Sequence, residues 1–449
     1  MTRTMTRKNF SRRAPDKWAA VYKEKVITID EAVSKIKPGW DIVAAQCASE
    51  PQGLMSRLHR AEGAENVRVF SVLTLKPYDF YMKPEMKGRF ELCSWFHAAG
   101  SREALKNGAG TVTFVPNMLH RAAMDRIQAR RPDVFFGTCT PPDKNGFVSL
   151  SLGITYEKDM IEAAGLVILE VNSRLPRTFG DTHVHVSAVD NFVERDNEVP
   201  ALSSPVPDGT ELAIGGHIGE LVPDGATIQL GIGGIPNAAA LALKNKRDLG
   251  VHTEIMVDSM MELYECGAVT NRRKALVKDK FVCTFAMGSR KLYDWLDNNV
   301  AVEFRRGAWV NDPAVIRQNS RMVSVNTCLT VDLTGQVASE TMGHRQYSGT
   351  GGQTDTAVGA KEAYDGLGKS IIACRSTAKN GTVSTIVPML PEGSAVTLHR
   401  SNTDHVVTEY GIAYMRGRTV RERALNLISV AHPDFRGGLR AQAAKLGYL

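Results

Sequence analysis

Residues 223–243 read PDGATIQLGIGGIPNAAALAL. Pro223-Asp224-Gly225 is turn chemistry, Ala226–Leu230 is a short apolar run containing β-branched residues, and Gly231–Asn237 is a glycine loop. Pro236–Leu243 then reads as a helix, so the stretch runs turn, strand, loop, helix. The same order recurs at Pro38-Gly39-Trp40-Asp41-Ile42-Val43, where small residues, Pro51 and Gly53-Leu54-Met55 follow. GLVILEV at 165–171 with Val189–Glu194 downstream is likewise echoed by KSIIAC at 369–374 with Thr403–Glu409. Ordered echoes of this kind predict duplication of one domain.

Other short β-rich runs (Val67–Leu75, Val134–Phe136, Lys280–Ala286) alternate with segments of helical period such as Ala357–Asp365. The predicted fold class is therefore α/β, as two similar α/β domains with mostly parallel sheets. They are placed at residues 18–200 and 211–449. The Pro-, Ser- and acid-rich stretch Arg195–Thr210 links them, and the ligand cleft lies between them.

The chain has 449 residues, 43% hydrophobic and 23% charged, enough for a large buried core and without an apolar run of membrane-spanning length. Residues 1–17 carry Arg3, Arg7, Lys8, Arg12, Arg13 and Lys17 against Asp16, and so supply +5 of the net +7. The other 432 residues are nearly neutral, which argues against nucleic acid or a membrane as partner, and the first 17 are expected to be a disordered basic tail. Seven scattered cysteines with no close pair give neither a disulfide framework nor a zinc site, and the expected location is the reducing cytoplasm rather than the mitochondrion.

The Gly231 loop follows a strand and opens a helix, which is the setting of a dinucleotide fingerprint, but Pro236 stands where its third glycine belongs. What remains is a loop whose backbone a ligand can approach closely, or simply a tight turn. Glu254, in Gly250–Asp258, falls at a strand end before a helix that Asp258 is placed to cap. A carboxylate there can reach a substrate as general base or as nucleophile. A second glycine cluster, Tyr347-Ser348-Gly349-Thr350-Gly351-Gly352-Gln353-Thr354-Asp355, offers consecutive N–H groups for an anion or an oxyanion. Lys379 lies in a turn after a buried strand. His183 and His185 share one side of a strand, but no third ligand is spaced for a metal, so none is expected. The absence of a Gly-x-Ser-x-Gly elbow weighs against an α/β-hydrolase triad.

The motifs WAAVYKEK (18–25), PPDKNG (141–146), EVN (170–172), GIGGIPNA (231–238), HTE (252–254), YSGTGGQTD (347–355), RSTAKNGTVSTIVP (375–388), VTEYGIAYMRGRTVRERA (407–424) and AHPDFR (431–436) occur in that order. In them the sequence resembles the acetyl-CoA hydrolase/transferase family, in particular its 4-hydroxybutyrate and butyrate:acetate CoA-transferase branch. The resemblance implies a nucleophilic role for Glu254 and a CoA-contacting loop at Gly231, Ile232, Gly233, Gly234 and Ile235. It implies thioester-oxygen binding by Gly351 and Gly352, and ligand contacts from Ser348, Asn326 and Lys379. Coenzyme A and acyl-CoA enter as substrates, with no permanently bound cofactor. The other partners implied are small carboxylic acids and a second copy of the chain in a homodimer. A free glutamate is ionised at neutral pH, so no base is expected to be needed. Two departures, Thr356 after Asp355 and Ser259 after Asp258, bear on the acyl substrate. The alternatives are an acyl-CoA hydrolase at the same site, a non-catalytic CoA-binding protein and a nicotinamide oxidoreductase.

Overall fold

The computed structural model describes residues 16–449, and the segment 1–15, almost all of the expected basic tail, lies outside the described residues. Asp16 and Lys17 open a helix, Asp16–Glu24.

Seven strands, β1 (Asp41–Ala44), β2 (Val67–Val72), β3 (Phe90–Phe96), β4 (Val112–Phe114), β5 (Val134–Cys139), β6 (Leu166–Val171) and β7 (Asn191–Glu194), form the first sheet in the order β7-β6-β5-β1-β2-β3-β4. Every pairing is parallel. The central strands β1 and β5 are buried at every residue, as strands covered on both faces must be, and this is why DIVA and VFFGTC read as continuous rather than alternating runs.

The second half builds β8 (Thr227–Leu230), β9 (Gly250–Val251), β10 (Phe281–Cys283), β11 (Val302–Phe304), β12 (Met322–Thr327), β13 (Lys369–Ala373), β14 (His405–Thr408) and β15 (Gly411–Tyr414). Its main sheet runs β9-β8-β12-β13-β14-β15, parallel except for the final hairpin. Beyond β9 the bridge His252↔Val282 carries the series into the parallel pair β10-β11. The resulting order, β14-β13-β12-β8-β9-β10-β11, repeats that of the first sheet strand for strand. The hairpin strand β15 is an addition to the second half.

The predicted strand Lys280–Ala286 is in fact two, β10 and the short Phe285–Ala286, which pairs with Ile255–Met256. The break falls where the N–H groups of Thr284 (3.0 Å) and Phe285 (3.2 Å) both turn to the carbonyl of Glu254. The segment 195–208 carries neither helix nor strand, and Asp208 caps the helix Gly209–Leu221 in a reciprocal box with Glu211.

Candidate active site

In open parallel sheets the ligand crevice lies beyond the carboxyl ends of the strands. Here the two sheets face each other across such a crevice. A cavity of about 370 Å³ is lined from one side by Gln46, Val72, Leu73, Phe96, Arg102 and Leu119. From the other it is lined by Gln229, Gly231, Ile232, Asn326 and the Tyr347–Gln353 loop, with Glu254 among the lining residues.

Glu254 is fixed from its backbone outward. Its carbonyl accepts the two N–H groups that break the 280–286 segment. Two residues earlier, the fully enclosed His252 ring lies 2.8 Å from the Val310 carbonyl through Nε2, and burial pushes its pKa down to about 3, so the ring is a neutral anchor. The Glu254 carboxylate accepts from Asn311 Nδ2 at 2.7 Å and from the backbone N–H of Gly352. Burial pushes its pKa up to about 7, against the lowering effect of Asn311; Asp355 nearby raises it further and the Gly352 N–H opposes. The expectation of a fully ionised carboxylate at neutral pH is corrected accordingly: loss of water around the charge outweighs the two donors.

Gly352 precedes the helix Gln353–Lys361, whose positive N-terminal end therefore points at the carboxylate. Its φ of −98° suits any residue, so conformation does not demand a glycine here. Space does, because a Cβ would overlap the Glu254 carboxylate and the Asn311 amide. Gly351, by contrast, sits at φ +54°, where glycine is the natural choice. The loop is clamped by the first half of the chain: Leu119 N donates to Gly351 O (3.1 Å) and His97 N to Ser348 O (3.2 Å). Asp355 in the helix's first turn accepts from His120 through both its backbone N (3.1 Å) and Nδ1 (2.8 Å). Burial raises the Asp355 carboxyl against those bonds; His120 is lowered by burial but raised more by Asp355.

Of the residues singled out in the sequence, Glu254, Gly231, Ile232, Asn326, Ser348, Gly351 and Gly352 line the one cavity. Ser348 Oγ is engaged with Ser339 O (3.0 Å), and Asn326 Nδ2 with Thr356 Oγ1 (3.0 Å). Gly233, Gly234 and Ile235 lie behind that wall. Gly233 lines an adjacent hollow with Ser204, Pro205 and Asp258, Gly234 abuts the Glu211 carboxylate, and Ile235 is buried. Lys379 is exposed on the hairpin Thr377–Ala378/Val383–Ser384 and does not line the cavity. Asp258 is the first residue of its helix rather than the cap, and its carboxylate accepts from Ser289 N at 3.0 Å. Among the described residues no group of three or more His, Cys, Asp or Glu is arranged for a metal; His185 instead packs edge-on to Trp18 at 4.3 Å. Asn311, His120 and Arg102 carried no signal in the sequence, since each is a lone polar residue brought in from a distant element.

A carboxylate presented by one α/β half, in a crevice closed by the other, defines a two-lobed α/β protein with a cavity between its halves. The chain belongs to the acetyl-CoA hydrolase/transferase family, whose N-terminal domain matches residues 8–203 and whose C-terminal domain matches residues 288–443. It is 41% identical over 430 residues to the 4-hydroxybutyrate coenzyme A transferase of Clostridium kluyveri, covering 95% of this chain and 99% of that one. The acetyl-CoA hydrolase of Kluyveromyces lactis is 31% identical over 266 residues, 56% of this chain and 48% of that one. The crystal structure of RipA from Yersinia pestis superposes with a TM-score of 0.91 at 36% identity, covering 96% of this chain and 100% of that one. The relatives place the chain among enzymes of CoA transfer.

Proposed function

We propose that the protein moves CoA between an acyl-CoA and a free carboxylic acid by a ping-pong route through a glutamyl-CoA thioester on Glu254. The observation that carries the reading is the Glu254 carboxylate, held by Asn311 and the Gly352 N–H at a helix N-terminus and open to the cavity between the halves.

In the route proposed, the ionised carboxylate attacks the thioester carbonyl of acyl-CoA. A mixed anhydride forms and CoA leaves as its thiolate. The thiolate attacks the glutamyl carbonyl, expelling the acid and leaving CoA on Glu254. An acceptor carboxylate then attacks that thioester, and the released thiolate takes the acyl carbonyl of the new anhydride, restoring Glu254. Splitting the exchange this way replaces one difficult step by several of similar energy. Each addition places negative charge on an oxygen near Gly351 and Gly352, where one well-aimed donor contributes about 3–4 kcal/mol. Burial of the glutamate serves the same route, since water would hydrolyse both the anhydride and the thioester.

Residues 18–200 and 211–449 serve as the two domains in this reading. Gly231–Ile235, Asn326, Ser348 and Lys379 are assigned to CoA, which is substrate and not resident cofactor, and a homodimer is the proposed assembly. Among the described residues no helix is long and apolar enough to cross a membrane. The test is incubation with acetyl-CoA in the absence of an acceptor acid, followed by digestion and mass analysis. CoA on the peptide containing Glu254 is expected. Steady thiol release with that peptide unmodified would reject the covalent route and favour a hydrolase.

A further inference from the structure

At the end of the second sheet away from the crevice lies a basin of about 620 Å³, within the size range of small-molecule sites. It gathers residues at the amino ends of four strands. Pro223 stands in the turn before β8, Arg321 directly precedes β12, Lys369 opens β13 and His405 opens β14. Tyr414, the last residue of β15, pairs with His405 and brings a half-exposed ring to the same end. The length of β12 therefore separates the basin from the crevice, which Asn326 reaches near the other end of that strand.

Four cations, Arg321, Lys369, Arg416 and Arg418, line the basin against one carboxylate, Asp404. Asp404 is already engaged: it accepts from Arg416 Nη2 at 2.9 Å and from Ser370 N at 3.1 Å. Arg418 has Glu422 at 3.3 Å on an exposed helical turn. Arg321 and Lys369 make no ion pair among the described residues. Their head groups are steadied by backbone instead, Arg321 Nη1 on Asp224 O (2.9 Å) and Lys369 Nζ on Leu221 O (2.8 Å). The Asp365 carboxylate takes the Arg321 backbone N–H at 2.7 Å and does not line the basin. Burial lowers the Lys369 pKa, Asp404 opposes this, and Arg416 adds to it. A half-buried lysine crowded by an arginine is stabilised by an anion placed between them.

We propose that this basin is a second binding site, separate from the crevice, for a nucleoside polyphosphate, with the phosphates on Arg321, Lys369 and Arg416 and the base against Tyr414. The inference stands apart from the CoA-transfer reading. Two cations without a counter-charge and a third that shares one suit a ligand with more than one phosphate, and guanidinium groups match phosphate oxygens in pairs. The aromatic ring beside them gives a base a surface to stack on, which an inorganic anion does not use. Coenzyme A carries the same phosphate chemistry, but a CoA seated here would have the sheet between its thioester and Glu254.

The test titrates the full chain with ADP by calorimetry while saturating CoA occupies the crevice. One ADP per chain is expected. Arg321→Gln and Lys369→Gln should each weaken it about 10- to 100-fold, the size of a lost charge-assisted contact, and Lys369→Arg should keep most of the affinity. Tyr414→Ala should weaken ADP and leave pyrophosphate unchanged. Pyrophosphate on the wild type needs no variant to fold: it should displace ADP and bind about 10-fold more weakly for want of a stacked base. Equal affinity for the two rejects the nucleotide class. ADP binding that CoA abolishes places the nucleotide in the crevice and overturns the proposal. So does ADP affinity unchanged in folded Arg321→Gln and Lys369→Gln, or no saturable binding up to roughly millimolar ADP. CoA exchange enters none of these measurements, so their failure leaves the transfer reading where it stands.

Discussion

The first crevice turn of each half occupies the same place in the repeated strand order, yet the two are built in opposite ways. After β1 the chain runs Gln46-Cys47-Ala48-Ser49-Glu50-Pro51, and every one of these residues is buried. After β8 it runs Gly231-Ile232-Gly233-Gly234-Ile235-Pro236, and Ile232 is 49% exposed. The first turn even holds a side chain at a left-handed position, Cys47 at φ +52°, where the second uses Gly233 at φ +126°. Carboxylates follow the same division. Glu50 accepts from Leu75 N at 2.9 Å and from the Tyr78 hydroxyl, and Glu157 from Tyr156 N at 2.9 Å, while Glu254 faces a cavity. Burial pushes all three up to about 7. A raised pKa therefore does not mark the functional carboxylate; access to open space does. One copy of the scaffold has closed its crevice with its own side chains, and the other has left room for a ligand.

The sharpest way to break this contrast is to neutralise one carboxylate in each half. Glu254→Gln keeps the shape and removes the nucleophile, so exchange should fall by roughly 10⁴- to 10⁶-fold, the range seen when a covalent nucleophile is lost. Glu50→Gln, measured in the same acetyl-CoA exchange assay, should stay within about 3-fold of wild type in kcat. Comparable losses in both would mean that Glu50 belongs to the chemistry.

A smaller effect is expected one step from the carboxylate. Gly352→Ala puts a methyl group where Glu254 and Asn311 now meet. Turnover should drop about 10²- to 10³-fold through displacement of the carboxylate from the Gly352 N–H and from Asn311, with the circular dichroism spectrum unchanged. Full activity in a folded Gly352→Ala protein would remove this backbone from the site.

Much of this organisation is legible in the residues themselves. The duplicated α/β scaffold reads from paired strings because parallel strands buried on both faces leave dense apolar runs, and each is followed by a turn with its own signature. Glu254 and the two glycine clusters stand out from their places beside strands and helices, whereas Asn326 stands out only through the family resemblance. What does not read is whatever depends on distant segments of the chain meeting. Asn311 has no local pattern, yet it touches Glu254 across 57 residues, and His120 reaches Asp355 across 235. Spacing likewise says nothing of which residues of the first glycine loop line the cavity: Gly231 and Ile232 do, while Gly233, Gly234 and Ile235 lie behind them. The strand read at 280–286 is split for the same reason: the Glu254 carbonyl, from another segment, captures two of its N–H groups.

The smallest effect tests the cost of holding the glutamate in place, and it is read in stability instead of rate. The Glu254 carboxyl has a pKa of about 7 in the folded chain against an ordinary value of 4.5, with burial the main cause. Between those two values the folded state holds a proton that the unfolded state has released. The contribution of this group to stability is therefore complete below about pH 4.5, declines as pH rises, and is lost above about pH 7. Glu254→Gln abolishes the titration. The variant should match wild type near pH 4 and exceed it at pH 8 by on the order of 1–3 kcal/mol, a Tm rise of a few degrees. Glu50 and Glu157 titrate over the same range, but both are present in each protein, so the difference between wild type and variant isolates Glu254. Melting curves at pH 4.5, 6 and 8 decide the matter. A Tm difference that stays flat across the series would mean that the Glu254 carboxylate is as well solvated in the fold as in the open chain, and that the crevice of the second half holds its charge without strain.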